Sequence, residues 1–352
     1  MKPSCAAAFV LALVCSNLTA QQFHVAPSNL TDAEGNTMTW LPGCAQSGAK
    51  QIILSGSHLQ PMIGHTILGL AFRRDGTSYA ERAASDAQLV VRVGATSRDP
   101  IDPATDFGAN LPQPQSTLVF SGTLSIPQMP PIQGYVGWVM PHVVEIPFSA
   151  GFLYQGGNLA IELEGTTATE AHFAVDAVDE RVNGTVVNVG QACGPRSATF
   201  VNTAMVSGLG LIPGGTSQLH LAGTDTSAAF AFFGVSLLPQ PVDLAFLGAP
   251  GCSWHVDSFT ALGAAVVPSG IEGFGSLANV GLHLPGTPTL LGGRLFVQWL
   301  EVGQGTLATS QAMSLTISGQ MPSLGMAQLE RLSDGSVHVA PGSGPVIGFR
   351  WL

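Results

Sequence analysis

Lysine is almost missing from this chain: Lys2 and Lys50 are the only two in 352 residues, and charged residues of every kind make up 10%. With a formal net charge of −10, the chain has no basic stripe to neutralise phosphates, which excludes nucleic acid and anionic membrane surfaces as electrostatic partners. Few side chains remain for acid–base chemistry. No Cys-x-x-Cys or His-Glu-x-x-His is present, so the usual spacings of a zinc or thioredoxin-type site are absent. No Gly-x-Ser-x-Gly occurs either, and Gly273-Phe-Gly-Ser-Leu277 does not supply the sharp strand-to-helix turn a hydrolase nucleophile needs.

Long hydrophobic runs are lacking too. The apolar stretch Ala6–Val14 is well short of the roughly 20 residues that span a bilayer. It follows Met1-Lys2 and precedes Ser16-Asn-Leu-Thr-Ala20, the pattern of a secretory signal cleaved after Ala20. A lipid anchor on Cys15 is disfavoured because Val14 is bulkier than the small residue that processing prefers. After cleavage Cys44, Cys193 and Cys252 remain. In an oxidising compartment two of them should pair and one should be left over, and Cys44, in Leu41-Pro-Gly-Cys44, could take either partner.

What the chain does have is glycine, 43 residues, and proline, 24, together with a 45% apolar fraction that is enough for a packed core. Period-two alternation recurs. In Asn158–Glu164, Leu159, Ile161 and Leu163 point one way while Ala160, Glu162 and Glu164 point the other. Further strands are expected at Ile52–Leu54, Ile67–Arg73, Gln88–Val93, Thr117–Leu124 and Val143–Phe148, each bounded by turn residues. Thr169–Val175 also suits a strand, and Tyr79–Ala84 is the one short segment with helical character. Many short strands without long amphipathic helices predict an all-β fold of two antiparallel, jelly-roll-like β-sandwich domains. The boundary is placed at Asp179–Gly184, giving a signal at 1–20, a first domain at 21–182, a second at 183–319 and a terminal hairpin, around Asp334-Gly335, at 320–352.

Leu247-Gly-Ala-Pro-Gly-Cys252, then Leu284-Pro-Gly-Thr-Pro-Thr-Leu-Leu-Gly-Gly-Arg-Leu-Phe-Val-Gln298, then Leu307-Ala-Thr-Ser-Gln311 and Ser314–Ser318 follow one another in the second domain. In this order they resemble the C-terminal module of secreted β-sandwich proteins common in planctomycete-type bacteria, a group with no established biochemical role. Gly69–Gly76, Leu89–Val93, Phe107–Leu111 and Val119–Leu124 resemble an N-terminal β domain found ahead of such modules. The resemblance implies that Cys193 and Cys252, both in glycine-proline turns, match the module's cysteine positions and form the disulfide. A loop of this size would stabilise the domain by about 4 kcal/mol in the chain-entropy model.

Candidate sites are few. Tyr135-Val-Gly-Trp138, between Pro131 and Pro141, is the best candidate for an exposed aromatic surface that would stack on a sugar. Trp254 and Trp299 fall in strands that read as core. Asp32 and Glu34, and Asp176 and Asp179, offer carboxylate oxygens in loops where a structural calcium could sit, without EF-hand spacing. Glu162 and Glu164 read as the wet side of a strand, and His255-Val-Asp257 pairs two ligand types on one strand face. Leu284-Pro-Gly-Thr-Pro288 resembles the start of a sortase signal but reads as a turn, because no hydrophobic segment with a basic tail follows it.

The expectation is therefore a secreted, non-catalytic structural or adhesion protein of the cell surface or extracellular space. Its partners would be extracellular glycans or cell-envelope components, with no nucleic acid and no membrane span. No cofactor is expected beyond a structural calcium. A carbohydrate-binding or carbohydrate-active protein is the alternative.

Overall fold

The computed structural model describes residues 21–44, 47–167, 173–193, 203–206, 210–223, 226–268, 275–303, 307–332 and 335–352. The signal-like segment at 1–20, with Cys5 and Cys15, lies outside them, as do residues 169–172 of the expected Thr169–Val175 strand. The fold is all-β, as the alternation predicts. Among the described residues no helix is long and apolar enough to cross a membrane.

The first sandwich packs a six-stranded antiparallel sheet on a four-stranded one. The larger sheet runs in the order β21 (Val337–Pro341), β20 (Met326–Arg331), β3 (Gly48–Leu54), β8 (Asn158–Thr167), β5 (Ser85–Thr96) and β6 (Thr117–Ile126). The smaller runs β1 (Gln22–Ala26), β23 (Ile347–Trp351), β4 (His65–Arg73) and β7 (Val143–Tyr154). A three-stranded sheet of β2 (Thr37–Trp40), β9 (Ala174–Asp179) and β22 (Ser343–Pro345) closes one end. Ile52, Leu54, Leu159, Ile161 and Leu163 meet Leu70, Phe72, Val144, Ile146 and Phe349 in the core. These are the inward members of the alternation, and their removal from water is the main favourable term holding the sheets together.

The second sandwich has the order β10 (Thr185–Val189), β19 (Ala312–Thr316), β17 (Arg294–Gly303), β13 (Thr226–Asp243) and β14 (Ser253–Ala264), with β18 (Leu307–Thr309) against β17. Facing it are β11 (Thr203–Val206), β12 (Thr216–Gly223), β16 (Ser276–His283) and β15 (Val266–Pro268). Trp299, with no exposed surface, lies in this core among Phe233, Val297, Leu219 and Leu315, as its strand setting predicts.

Two expectations change. The terminal segment does form a hairpin, Ala327 opposite Pro341 and Arg331 opposite Val337, but it is not an appendage. Its β20 also pairs with β3, β22 with β9, and β23 lies between β1 and β4, so the chain returns to complete the first sandwich. β3, β4 and β9 each have one edge paired by β8, β7 and β2, and the C-terminal segment supplies the strand that covers the other edge. Tyr79–Ala84 is not helical: Arg82 makes a two-way backbone bridge to Met129, at 2.9 Å in each direction, so tertiary pairing overrides the local propensity.

Candidate functional site

Two of the sequence candidates, the aromatic loop and the acidic loops, converge on one residue that neither motif contains. Arg73 ends β4 with its side chain 1% exposed, and its guanidinium lies between two rings, 5.0 Å from the Tyr135 centroid and 4.9 Å from that of Trp138. Nη1 donates to the Tyr135 hydroxyl at 3.3 Å, Nη2 donates to Ala33 O at 2.6 Å, and Nη2 forms an ion pair with the fully buried Asp176. Next to it Arg74, equally buried, donates to Pro130 O at 2.7 Å and to the carbonyls of Ser78 and Ala80. The two arginines thus pin the proline-rich 127–141 loop to the sheet.

The acidic residues meet on the other side, although Asp176 and Asp179 belong to strand β9 and not to the loop expected there. Glu34, Asp75 and Asp176 each place a carboxylate oxygen within 4.8 Å of the others. Gly35 N donates to Asp176 Oδ1 at 2.8 Å, an approach that only glycine permits, because a Cβ there would lie 1.8 Å from Ala177 O. Glu34 accepts from Gly76 N, and Asp75 from Thr77 N at 2.8 Å. Burial, then the charges of Asp176 and Asp75, push the Glu34 carboxyl up, against the pull of the Gly76 N–H and of Arg73. Burial likewise raises Asp176 despite its bonds to Arg73.

Of the four calcium candidates, Glu34 and Asp176 therefore come together, joined by Asp75, which sequence reading missed. Asp32 is exposed and Asp179 turns to accept from Arg181 N at 2.8 Å; neither belongs to the group. Arg73 is the missing signal: a charged residue ending an otherwise apolar strand, which needs a buried counter-ion. The aromatics are only partly free. Trp138 is half-buried, packs edge-on to Phe23 at 5.3 Å and donates Nε1–H to Thr31 O at 3.1 Å, while Tyr135 stays 45% exposed. Glu164 is exposed, as the spacing predicts, but Glu162 is half-buried and accepts from Gln51 Nε2 at 3.1 Å, because Phe107 and Leu111 cover the neighbouring Ala160 on this face of the sheet.

The second notable surface is on the other sandwich. Cys193 and Cys252 form a disulfide, Cα atoms 5.1 Å apart, and Cys44 is a buried free thiol in the first core, pushed up to about 12 by burial. The bridge ties the segment after β10 to the loop 244–252, and Gly248 and Gly251, both at φ 80°, make its turns. This loop lies over the outer face of β13, β14 and β17. There Trp254 is not core: it meets Phe232 edge to face at 4.9 Å and, with Leu244, Leu247, Leu300 and Leu307, lines an open groove of about 490 Å³. The reason is parity. β14 passes from Thr260 to Ser258 while β13 advances only from Phe233 to Gly234, so Ser258, Val256 and Trp254 fall on the face opposite to that of Thr260 and Leu262, and strand alternation does not carry through.

No family model and no curated protein matches the chain. Among solved structures, a crystal structure of a DUF4785 family protein from Legionella pneumophila aligns over 94% of this chain and 80% of that one, at 8% identity and a TM-score of 0.16, and no argument rests on it.

Proposed function

We propose that this chain works outside the cell as a non-catalytic structural or adhesion protein, held to cell-envelope or matrix neighbours through the apolar outer face of the second sandwich. The observation that carries this is the exposure of large apolar side chains at the groove: Leu247, which lines it, is 56% exposed and the adjoining Phe246 74%. Contiguous apolar surface of this kind marks a contact site, since leaving it in water is unfavourable. The disulfide supports an oxidising compartment, as does the signal-like start. Loop 244–252 is preorganised by that bridge, which lowers the entropy lost on contact. Glu34, Asp75 and Asp176 are the residues that would hold a structural calcium ion within this reading, because they offer the oxygen donors it takes.

A carbohydrate role centred on Tyr135 and Trp138 is the weaker reading. Both rings bracket Arg73, and Trp138 has its N–H engaged as well, so neither presents two open faces to a sugar. The test uses protein beginning at Gln21 mixed with cell-envelope preparations of the producing cell. Wild type should sediment with them and resist release by salt, while the Phe246→Ser/Leu247→Ser double variant, unchanged in circular dichroism, should stay in the supernatant. Equal behaviour of the two proteins would overturn the proposal.

A further inference from the structure

A cleft between the two sandwiches contains polar groups that the protein itself leaves unanswered. Strands β2, β20 and β21 form one wall and β12 the other, enclosing about 630 Å³. Trp40, Gln218, His220, Gln328, Glu330 and His338 are among its lining. A second cavity of about 480 Å³ shares Trp40 and Glu330, so the two adjoin as one groove longer than either.

In the larger cavity Gln218 Nε2 and Gln328 Oε1 are buried with no hydrogen-bond partner. One is a donor and the other an acceptor, and leaving each unsatisfied costs about 1–3 kcal/mol. Two orphans of opposite sense on facing walls call for a ligand that both donates and accepts. Charge, by contrast, is already spent. Lys50, the only lysine among the described residues, is buried at the edge of the adjoining cavity, donates to Thr39 Oγ1 at 2.6 Å and to Trp40 O at 2.7 Å, and lies 4.0 Å from Glu330. Asp179 accepts from the Arg181 backbone. His220 Nδ1 is 2.6 Å from Asn279 Oδ1. Burial lowers the His338 imidazole below its ordinary value, which keeps the ring neutral, with one donor and one acceptor. In the larger cavity an anion would meet the carboxylates of Asp179 and Glu330 with no lysine or arginine among the described lining, and a cation would compete with Lys50 for Glu330; Arg331, in the adjoining cavity, lies over the Phe107 ring. What remains is a neutral molecule rich in hydroxyls, with an apolar side for the indole of Trp40.

We propose that this groove binds a neutral saccharide, with Gln218 and Gln328 bonding its hydroxyls and Trp40 supplying the apolar wall. The site is separate from the apolar outer face and does not depend on it. Hydroxyls suit the two amides whichever way their oxygen and nitrogen are assigned, because each hydroxyl can donate or accept. The continuation into the second cavity favours oligosaccharides over single sugars.

The test is calorimetric titration of the protein from Gln21 with neutral gluco-, manno-, xylo- and galacto-oligosaccharides, at low and high salt. At least one series should bind, with affinity rising from mono- to oligosaccharide and unmoved by salt. Gln328→Leu and Gln218→Leu should each weaken it about tenfold, which corresponds to roughly 1.4 kcal/mol, while Tyr135→Ala leaves it unchanged. Neither leucine variant removes a bond from the fold, so thermal midpoints should hold or rise; Trp40→Ala is a supplementary variant, read only if it folds. Silence across all four series, a preference for uronic or sulfated sugars, or binding insensitive to both glutamine substitutions would overturn the proposal. Attachment to envelope preparations through Phe246 and Leu247 can persist in each of these cases.

Discussion

The two six-stranded sheets close their outer faces in different ways. In the first sandwich the outward side chains Ala49, Ile53, Ala160, Leu329 and Val339 are sealed by Phe107 and Leu111 from the connection between β5 and β6. That connection carries its own polar bracket: buried Asn110 donates to Gln51 Oε1 and to Ala104 O, both at 2.8 Å, and accepts from Ala104 N at 2.8 Å. In the second, Val256, Phe296 and Ala312 are covered, but the neighbouring Phe232, Trp254 and Leu300 face an open groove lined, among the described residues, by Leu307 and loop 244–252. A connection that brings apolar residues and a means of ordering them turns an outer face into core. A short loop held by a disulfide orders the backbone without supplying cover, and leaves Phe246 and Leu247 outward.

The sharpest way to break this contrast is a pair of substitutions. Phe107→Ala should cost about 3–5 kcal/mol, as other emptied aromatic sites do, whereas Leu247→Ser should fall within about 0.5 kcal/mol of wild type. Denaturant unfolding measures both, and comparable losses would mean that the second face is as closed as the first. Next in size, Cys252→Ser should remove about 4 kcal/mol by releasing the 59-residue separation between the bridged cysteines. Reductant should reproduce that loss in wild type and equally in Cys44→Ala, because the Cys44 thiol takes no part in the bridge.

The smallest effect concerns the acidic bracket, which the second sandwich lacks among its described residues. Burial holds the Glu34 proton more tightly in the folded chain than in the unfolded one. Its contribution is therefore fully present below the unfolded carboxyl range and declines as pH rises through and above it. Glu34→Gln, which can still accept from Gly76 N, should flatten the fall of the thermal midpoint between about pH 4 and 7. Added calcium should raise that midpoint in wild type and not in the variant; an equal response would detach the cation from these carboxylates.

Much of the architecture was legible in advance. The strands around Ile52, Leu70, Val91 and Ile161 follow from alternation, since burying one face of a pleated sheet demands period two. The Cys193–Cys252 bridge followed from motif resemblance. Trp254 could not be placed that way, because a register shift at Phe259, within its own strand, switches the alternation and no local signal announces it. Glu34 and Asp176 were visible as carboxylates, yet their link through Asp75 and Arg73 joins distant stretches of chain, as the bond from Gly35 N to Asp176, 141 residues on, also does.

The amino-acid sequence by itself determined that the chain is all-β, acidic and poor in cations, because composition and side-chain period act locally and need no partner. Only the tertiary structure decided that the last strands complete the first sandwich, that Arg73 gathers aromatic and acidic loops, and that Gln218 and Gln328 face one cleft. Those outcomes depend on which edges and charges find each other across the fold, and no window of neighbouring residues contains that information.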